Sequence, residues 1–515
     1  MKTPILGSSY VARSVNAADA RMVNLFPEIV PEAGKEPAFL QRAPGLKLLN
    51  TIGTGPIRGV WAFSSNDTDA FVVSGTQLYK INSAYVATLI GDVSGVGPVS
   101  MADNGTQLFI ACNGPSYIYN NTTGVFGNIS DPDFPGAVTV CYLDGYFVFN
   151  QPDSQLMWVT ELLDGTNIDG AIGFASTEGS PDGLVAVVSN FREVWAFGTN
   201  SIEVWYDVAG TGFPLQRIQG AFNELGCAAP YSVAKMDNGI FWLGRDRRGQ
   251  GIVYRANGYA GVRISTHAVE WQIQQYADMS DAIGYTYQQD GHSFYVLVFP
   301  SANTTWVYDA ATQAWHERAG FIDGQFTRHR SNCQMAFNNK IVVGDFENGN
   351  IYAFDLDDYS DNGQIQKWLR SWRALPQGTN TLKRTAQHSL QLDAQTGAYL
   401  PAINVDVTGS NDTFLLSELG AFLLTESGDY IITQVGENIN PQPSVMLRWS
   451  DDGGHTWSNE HWKGMGAVGQ YFYRTIWRRL GMTVKLRDRV YEVSGTDPIK
   501  IAIMGAELVL SPTNA

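Results

Sequence analysis

The chain has 515 residues, which is too long for one ordinary compact core and favours two or three domains or one large repeat-built domain. Its 34 basic and 50 acidic residues give a net charge of −16, the opposite sign from a protein that grips nucleic acid along a broad face. Only 16% of the residues are charged and 12% are aromatic, which is typical of short strands with much surface buried against neighbours.

The start of the chain holds one Lys and no long apolar core, so we expect no signal peptide. The sequence contains no run of about 18 apolar residues, so we expect no membrane span. The four cysteines are widely spaced and form no CxxC pair, which argues against a zinc site or a disulfide framework. We expect reduced thiols, mostly in the core, in a protein that folds in a cytosol.

Residues 1–50 show little periodicity. Asn24-Leu-Phe-Pro27 and Ala43-Pro-Gly-Leu46 bracket a stretch rich in Pro and Glu. This pattern predicts an extended N-terminal arm that lies on the body of the protein or on a neighbouring subunit.

Residues 51–363 contain similar runs in which a turn dipeptide or a Gly precedes an apolar strand, the signal of a β-hairpin. Examples are Gly105-Thr-Gln-Leu-Phe109, Asp144-Gly-Tyr-Phe-Val148 and Asp290-Gly-His-Ser-Phe-Tyr295. Most of these runs recur roughly every 30 to 60 residues, which favours an all-β fold with a β-propeller of six or seven blades. Unrelated hairpins in a sandwich are the alternative. One short helix is expected near Val269–Asp278.

Residues 364–515 follow a polar, acidic boundary near Asp355–Gly363. They predict a separate β-rich, sandwich-like domain with an insertion at about 402–441. The alternative is that this part of the chain closes the ring of the propeller.

Ser450-Asp-Asp-Gly-Gly-His-Thr-Trp457 fits the Asp-box pattern of a β-hairpin turn. In such a turn the carboxylate accepts backbone N–H groups, a Gly supplies special backbone angles and the Trp packs below. We expect a structural role for Ser450, Asp452, Gly454, Thr456 and Trp457. Because sialidases carry such boxes, a glycan-binding or glycan-cleaving propeller for host attachment is the alternative function.

A basic stretch with interleaved aromatic residues begins near Tyr471. It is a candidate contact with DNA or with an acidic protein neighbour, and the acidic balance of the whole chain favours the protein interface. Its basic residues are Arg474, Arg478, Arg479, Lys485, Arg487 and Arg489.

No hydrolase or nucleotide-binding signature such as GxSxG, HExxH or GxxxxGK[ST] occurs in the sequence. None of the histidines that lie beside predicted strands has metal-ligand spacing to a second ligand on the same short element. We therefore predict that the protein is not an enzyme and has no catalytic residues, metal or cofactor.

The central region resembles the packaged-DNA stabilisation family of short-tailed bacteriophages, the podoviruses, whose members are tail hub or nozzle proteins that complete the head. The resemblance runs from about Asn24 to Gly344 and returns near Leu447–Trp457 and Trp477–Gly481. Its motifs include Ser180-Pro-Asp-Gly-Leu184, Glu193-Val-Trp-Ala-Phe-Gly198, Phe213-Pro-Leu-Gln-Arg-Ile218, Gly226-Cys-Ala-Ala-Pro230, Phe241-Trp-Leu-Gly244, Arg263-Ile-Ser-Thr-His267 and Thr305-Trp-Val-Tyr-Asp309.

The resemblance implies a virion structural protein with a propeller as its main body. It implies a homo-oligomer, a hexameric ring below the portal and its adaptor, that extends the channel for packaged double-stranded DNA. It also implies retention of the genome and attachment of a tail needle, fibre or spike. The protein would be assembled in the host cytoplasm and located in the virion tail.

Overall fold

A computed structural model describes residues 1–14, 18–30, 34, 36–65, 68–177, 179–210, 212–374, 384–397, 413–414, 432–433, 442–483 and 489–513. These residues form strands almost throughout. The helical elements among them are one α-helix, His267–Ile273, which starts close to the position predicted for it, and one 3-10 turn, Pro230–Ser232.

Seven four-stranded antiparallel units, called blades 1 to 7, form most of the described chain. Blades 1 to 3 comprise Ile57–Ala62, Ala70–Ser74, Gln77–Ile81 and Ala87–Asp92; Ser100–Asp103, Gln107–Ala111, Ser116–Asn120 and Phe126–Asn128; and Val140–Leu143, Tyr146–Asn150, Leu156–Val159 and Phe174–Ser176. Blades 4 and 5 comprise Leu184–Asn190, Glu193–Gly198, Ile202–Asp207 and Leu215–Asn223; and Gly226–Cys227 with Ala234–Met236, Gly239–Arg245, Gln250–Asn257 and Ala260–Arg263. Blades 6 and 7 comprise Ile283–Gln289, His292–Phe299, Thr304–Asp309 and Ala314–Glu317; and Ser331–Phe337, Lys340–Asp345, Asn350–Asp355 and Gly45–Thr51.

The first strands of most consecutive blades contact one another, blades 4 and 5 meet through Glu193–Gly198 and Gly226–Cys227, and blade 7 contacts blade 1, so the blades close into a propeller. Buried apolar clusters fill the space between neighbouring blades; Phe71, Leu78 and Ile110, for example, belong to the cluster between blades 1 and 2. The prediction of a six- or seven-bladed propeller is confirmed, and the described residues form seven blades.

Tight hairpin turns join the first and second strands of several blades. Asp144 and Gly145 join two strands of blade 3 with φ angles of 46° and 104°, and Asp290 and Gly291 do so in blade 6 with 50° and 79°. Two consecutive positive φ angles define the turn type that matches the right-handed twist of adjacent strands. This geometry explains why turn dipeptides recur before the apolar strands.

The ring is closed by the N-terminal part of the chain. Strand Gly45–Thr51 pairs antiparallel with Asn350–Asp355 and becomes the outer strand of blade 7, where Leu46 lies opposite Phe354. The C-terminal part therefore does not close the propeller, and the expected arm ends inside a blade.

The C-terminal strands form two packed sheets, called the sandwich. One sheet contains Thr475–Arg478, Thr385–Ala394, Ala502–Pro512, Ala38–Arg42 and Leu25–Ile29 in that order, with Lys2–Thr3 beside Ala502–Pro512. The other contains Met22–Val23, Trp368–Arg373, Val490–Gly495, Ser444–Ser450 and His461–Gly464 in that order. Trp372, Leu390, Trp477, Val493 and Leu508 pack between the sheets. Short pairs outside them are Tyr10–Val11 with Asp19–Ala20, Ala319–Ile322 with Gln325–Arg328, and Thr413–Phe414 with Ile432–Thr433.

The propeller and the sandwich share a sheet. Val23 pairs with Glu317 of blade 6 on one side and with Leu369 of the sandwich on the other. Backbone pairing therefore continues from the propeller into the sandwich.

Arg42 is fully buried where the N-terminal strands, the connection after blade 7 and the sandwich meet. Its guanidinium donates to the carbonyl oxygens of Tyr359 (3.0 Å), Gln366 (2.5 Å) and Ile499 (3.0 Å), and also to that of Asp497. Burial lowers the pKa of Arg42 to about 10. A guanidinium enclosed by carbonyl oxygens ties three chain segments together through charge-assisted hydrogen bonds.

Asp361 gives this junction a dependence on pH. Burial raises its pKa to about 7, above the value near 3.9 of an unfolded chain, despite a hydrogen bond from Gln366 (3.3 Å). A raised carboxyl pKa means that the folded state binds the proton more tightly, so this group's contribution to stability falls as pH rises from about 4 to about 7. We therefore expect Asp361→Asn to become more stable relative to the wild type as pH rises from 5 to 8 in urea unfolding. A stability difference that does not change with pH would contradict this account.

Candidate interaction site

In the described part of the chain, both sheets of the sandwich end in an edge strand on the side away from the N-terminal strands. Strands His461–Gly464 and Thr475–Arg478 end the two sheets there, and they meet because Trp477 Nε1 donates to the carbonyl oxygen of His461 (2.8 Å). Thr475 Oγ1 likewise donates to the carbonyl oxygen of Gly464 (3.1 Å). We call residues 461–479, the two edge strands with their connecting loop and Arg479, the open edge.

Large aromatic side chains of the open edge face solvent. Trp462 is 56% exposed, Tyr471 is 72% exposed and Phe472 is 99% exposed. Sheet edges commonly carry basic residues that discourage pairing with strands of other chains. This accounts for the charges of the open edge but not for its exposed aromatic rings. Exposed aromatic residues beside Arg are typical of protein–protein contact surfaces.

The residues of the predicted basic stretch do not all lie on the open edge. Arg474, Arg478 and Arg479 are exposed on the open edge, where Arg474 donates to Gln391 Oε1 (2.6 Å). Lys485 and Arg487 lie outside the described residues. From residue 461 to residue 483 the sequence contains Lys463 and those three Arg and no Asp or Glu, so the open edge is basic within an acidic chain.

Arg489 does not lie on this surface, because it is 2% exposed. Its guanidinium donates to both carboxylate oxygens of Asp451 (2.6 Å each) and to the carbonyl oxygens of Leu480 (2.6 Å) and Met482 (3.2 Å). Arg489 therefore joins the Asp-box turn to residues 480–482, which follow strand Thr475–Arg478. A run of basic residues in sequence does not distinguish this buried arginine from its exposed neighbours.

The Asp-box turn begins at the end of strand Ser444–Ser450. Asp452 accepts hydrogen bonds from the N–H groups of His455 (3.0 Å) and Thr456 (2.9 Å) and from the hydroxyl of Thr456 (2.6 Å). The Ser450 hydroxyl donates to Asp452 (2.6 Å) and accepts from the N–H of Gly454 (2.8 Å), which has a φ of 107°. These bonds hold the pKa of Asp452 well below its usual range.

Trp457 lies against the Arg448 guanidinium, whose central carbon is 4.7 Å from the ring centroid. Arg448 in turn donates to Glu492 Oε1 (2.5 Å) of the adjacent strand. The Trp side chain is thus used for packing within the sandwich.

Replacing the Asp452 carboxylate should loosen this turn locally. We expect Asp452→Asn to speed hydrogen exchange at the amides of His455 and Thr456, because an amide accepts more weakly than a carboxylate. His455→Ala at the exposed tip is the matched control and should leave the other amides of the turn unchanged. Equal protection in Asp452→Asn and the wild type would contradict this role.

The propeller surrounds a central cavity of about 590 Å³. Two charged groups at its wall, Arg58 and Asp103, form hydrogen bonds within the protein. Arg58 donates to three backbone carbonyl oxygens, those of Gly75, Ser94 and Gly97. Asp103 accepts from Trp61 Nε1 (2.7 Å). These charges join neighbouring strands.

The described residues were predicted to hold no metal, no membrane span and no disulfide. Among the described residues, no group of three His, Cys, Asp or Glu side chains is placed to hold a metal ion. Within the same residues, no helix has the length and apolar character to cross a bilayer. The cysteines are unpaired, and burial raises the pKa of Cys141 and of Cys333 to about 12.

A second exposed apolar surface, which the motifs did not indicate, lies on blades 3 and 4. Leu162 and Leu163 are 56% and 62% exposed, and Phe191 is 72% exposed. Phe191 lies between the first and second strands of blade 4, and Leu162 and Leu163 lie between the third and fourth strands of blade 3. In an antiparallel blade these two connections are at the same end, so the three residues share one face of the propeller. We call Glu161, Leu162, Leu163, Phe191, Asp207 and Val208 the acidic face.

Part of the acidic face lies around Gly145 and Tyr146, and the Phe191 hairpin is joined to it because Arg192 donates to the Asp144 carboxylate (2.8 Å). Leu162 and Leu163 border Gly145, and Leu163 donates its N–H to the Gly145 carbonyl oxygen (2.8 Å). Burial and then the carboxylates of Asp207 and Glu161 raise the pKa of Tyr146. Residues 81–191 contain eleven Asp and Glu and no Lys, Arg or His, but these acidic residues are distributed over the sequence of blades 1 to 4 and do not single out this surface.

Comparison with known proteins identifies the family. A family model described as the β-propeller of bacteriophage P22 Gp10 matches residues 1–359, and a second, its β-sandwich, matches residues 421–511. The tail hub protein gp10 of Salmonella phage P22 is 25% identical over 287 residues, which cover 53% of this chain and 59% of that protein. The match thus spans well under two thirds of the length of this relative.

Solved structures give weaker likenesses. Virginiamycin B lyase from Staphylococcus aureus is 11% identical with a TM-score of 0.42, over 60% of this chain and 99% of that chain. The N-terminal domain of Nup159 is 8% identical with a TM-score of 0.38, over 63% and 97%. These likenesses carry no functional argument. The family models, by contrast, cover most of the chain and confirm the predicted resemblance: the chain belongs to the family of the propeller-and-sandwich protein Gp10 of bacteriophage P22.

Proposed function

We propose that this protein is the tail hub of a short-tailed bacteriophage, a structural component of the virion tail. The observation that carries the proposal is the family match over residues 1–359 and 421–511, which spans both bodies of the fold. The related protein of phage P22 is itself named a tail hub protein.

The architecture suits a subunit of a ring below the portal and its adaptor. A closed ring needs two different surfaces on each subunit, because each copy contacts two neighbours in the same rotational sense. This chain offers a basic edge on the sandwich and an acidic face on the propeller. The shared sheet between the two bodies keeps these surfaces at a fixed separation.

In this proposal the ring is a homohexamer that extends the DNA channel and retains the packaged genome. The portal–adaptor proteins would bind one side, and a tail needle, fibre or spike would bind the other. Holding DNA needs a narrow passage and not a reaction, so the proposal assigns no enzymatic role and no cofactor.

The glycan alternative depends on the Asp box and the Trp residues. Asp452 and Ser450 use their oxygens within the turn, and Trp457 packs against Arg448. These side chains stabilise a hairpin, and no observation on the described residues favours a glycan site.

The test is binding of the purified protein to a complex of the portal and adaptor proteins of the same phage. Electron microscopy should show the chain bound end-on as a ring that continues the channel. Absence of the protein from mature particles, or clear turnover of a host polysaccharide, would overturn the proposal.

A further inference from the structure

We infer that the open edge of one copy docks on the acidic face of the next copy, so that these two surfaces form the contact that closes the ring. The inference rests on the proposed function and deepens it by naming the surfaces. Both surfaces are exposed in the isolated chain, so they do not cover each other within one molecule.

The first argument is charge. Residues 461–483 carry four basic residues and no acidic one, whereas the acidic face carries Glu161 and Asp207, and the neighbouring Asp144 is paired with Arg192 (2.8 Å). The unlike charges make a contact between the two surfaces attractive and a contact of either surface with itself repulsive. A head-to-tail arrangement of copies satisfies this condition, and a symmetric contact of either surface with itself does not.

The second argument is apolar area. Phe472 and Tyr471 protrude from the open edge, and Leu162, Leu163 and Phe191 form the apolar part of the acidic face. Apolar side chains at the centre of a contact with charged groups at its rim are the usual arrangement in protein interfaces. Double-stranded DNA would complement the arginines but offers no partner for the two leucines and the phenylalanine on the other surface.

The third argument is the backbone at Phe191. This residue has a φ of 54° in the hairpin of blade 4, at the position where the hairpins of blades 3 and 6 carry Asp144 and Asp290. Asn and Asp tolerate this left-handed conformation, and an aromatic residue there costs stability. A strained and exposed Phe is explained if its ring has a task in binding.

The test uses two double variants of the full-length protein. Phe472→Ser with Arg478→Glu alters the open edge, and Glu161→Lys with Phe191→Asn alters the acidic face. Phe191→Asn places a favourable residue in the turn, so loss of folding does not explain its effect. Val96→Asn, at an apolar residue that is 91% exposed elsewhere on the propeller, is the control.

Sedimentation velocity should show concentration-dependent association of the wild type and of Val96→Asn. Each double variant should associate about 100-fold more weakly, the scale expected when central contacts and charge pairs are lost. An equimolar mixture of the two double variants should form a dimer and nothing larger, because the only intact contact joins one copy of each.

Three results would overturn the inference: a wild type that stays monomeric, a double variant that associates normally, or a mixture that forms no dimer. Salt-dependent duplex binding that the open-edge variant loses, with association unchanged, would make the edge a DNA contact instead. If the wild type occurs in virion tails and the variants still assemble there, the inference alone fails. If the wild type is absent from virions, the proposed function fails.

Discussion

Arg489→Ala should lower the free energy of unfolding by about 3–5 kcal/mol, the range for removing one partner of a buried ion pair. The change leaves the Asp451 carboxylate without its two hydrogen bonds and removes the donors to the carbonyl oxygens of Leu480 and Met482. Urea unfolding followed by tryptophan fluorescence measures the effect. Trp449 reports it locally, because the guanidinium carbon lies 5.6 Å from its ring centroid.

Arg478→Ala is the matched control for this prediction. Arg478 is exposed on the open edge, so its removal should change the free energy of unfolding by no more than about 0.5 kcal/mol. Equal effects of the two substitutions would show that Arg489 does not join the Asp-box turn to residues 480–482.

Leu46→Ala should destabilise the protein by about 2–5 kcal/mol, as expected for a large-to-small change in a packed core. Leu46 is 0% exposed in the strand that closes the propeller, and it packs with residues of blades 6 and 7. The loss of the Leu46 side chain should also weaken the closure of the propeller and expose blade 7 to limited proteolysis. Chemical denaturation and the rate of cleavage measure the two effects.

Leu48→Ala changes the same residue type in the same strand, but Leu48 is 42% exposed. We expect a cost below about 1 kcal/mol and no change in cleavage. If Leu48→Ala cost as much as Leu46→Ala, closure of the propeller by Gly45–Thr51 would not depend on packing of the buried side chain.

The repeating turns made the propeller predictable. A turn such as Asp144-Gly145 fixes the pairing of two adjacent strands, and its sequence is local, so the same signal appears in successive blades. The family resemblance was predictable because each of its many short motifs is also local in sequence.

The role of the N-terminal residues was not predictable from local pattern. Met22–Val23, Ala38–Arg42 and Gly45–Thr51 enter three different sheets, and each pairs with a strand hundreds of residues away in the sequence. Local periodicity shows that a segment suits a strand but not which distant strand it joins. An interpretation as a separate arm misses this division among sheets.

The candidate site was predicted in part. The basic stretch with interleaved aromatic residues indicated a contact surface, and the open edge has that character for Arg474, Arg478 and Arg479. Arg489 is buried beside Asp451, which follows the adjacent strand Ser444–Ser450, and the order of residues does not reveal this contact. The roles assigned to these arginines and to the Asp-box residues stay predictions.

The most direct test of the central claim is a cryo-electron microscopy reconstruction of the tail vertex of phage particles that encode this chain. The account predicts a ring of copies beneath the portal–adaptor, each a seven-bladed propeller joined to a sandwich, with the sandwich edge of one copy against the propeller of the next. Particles whose tail vertex contains no such density would contradict it.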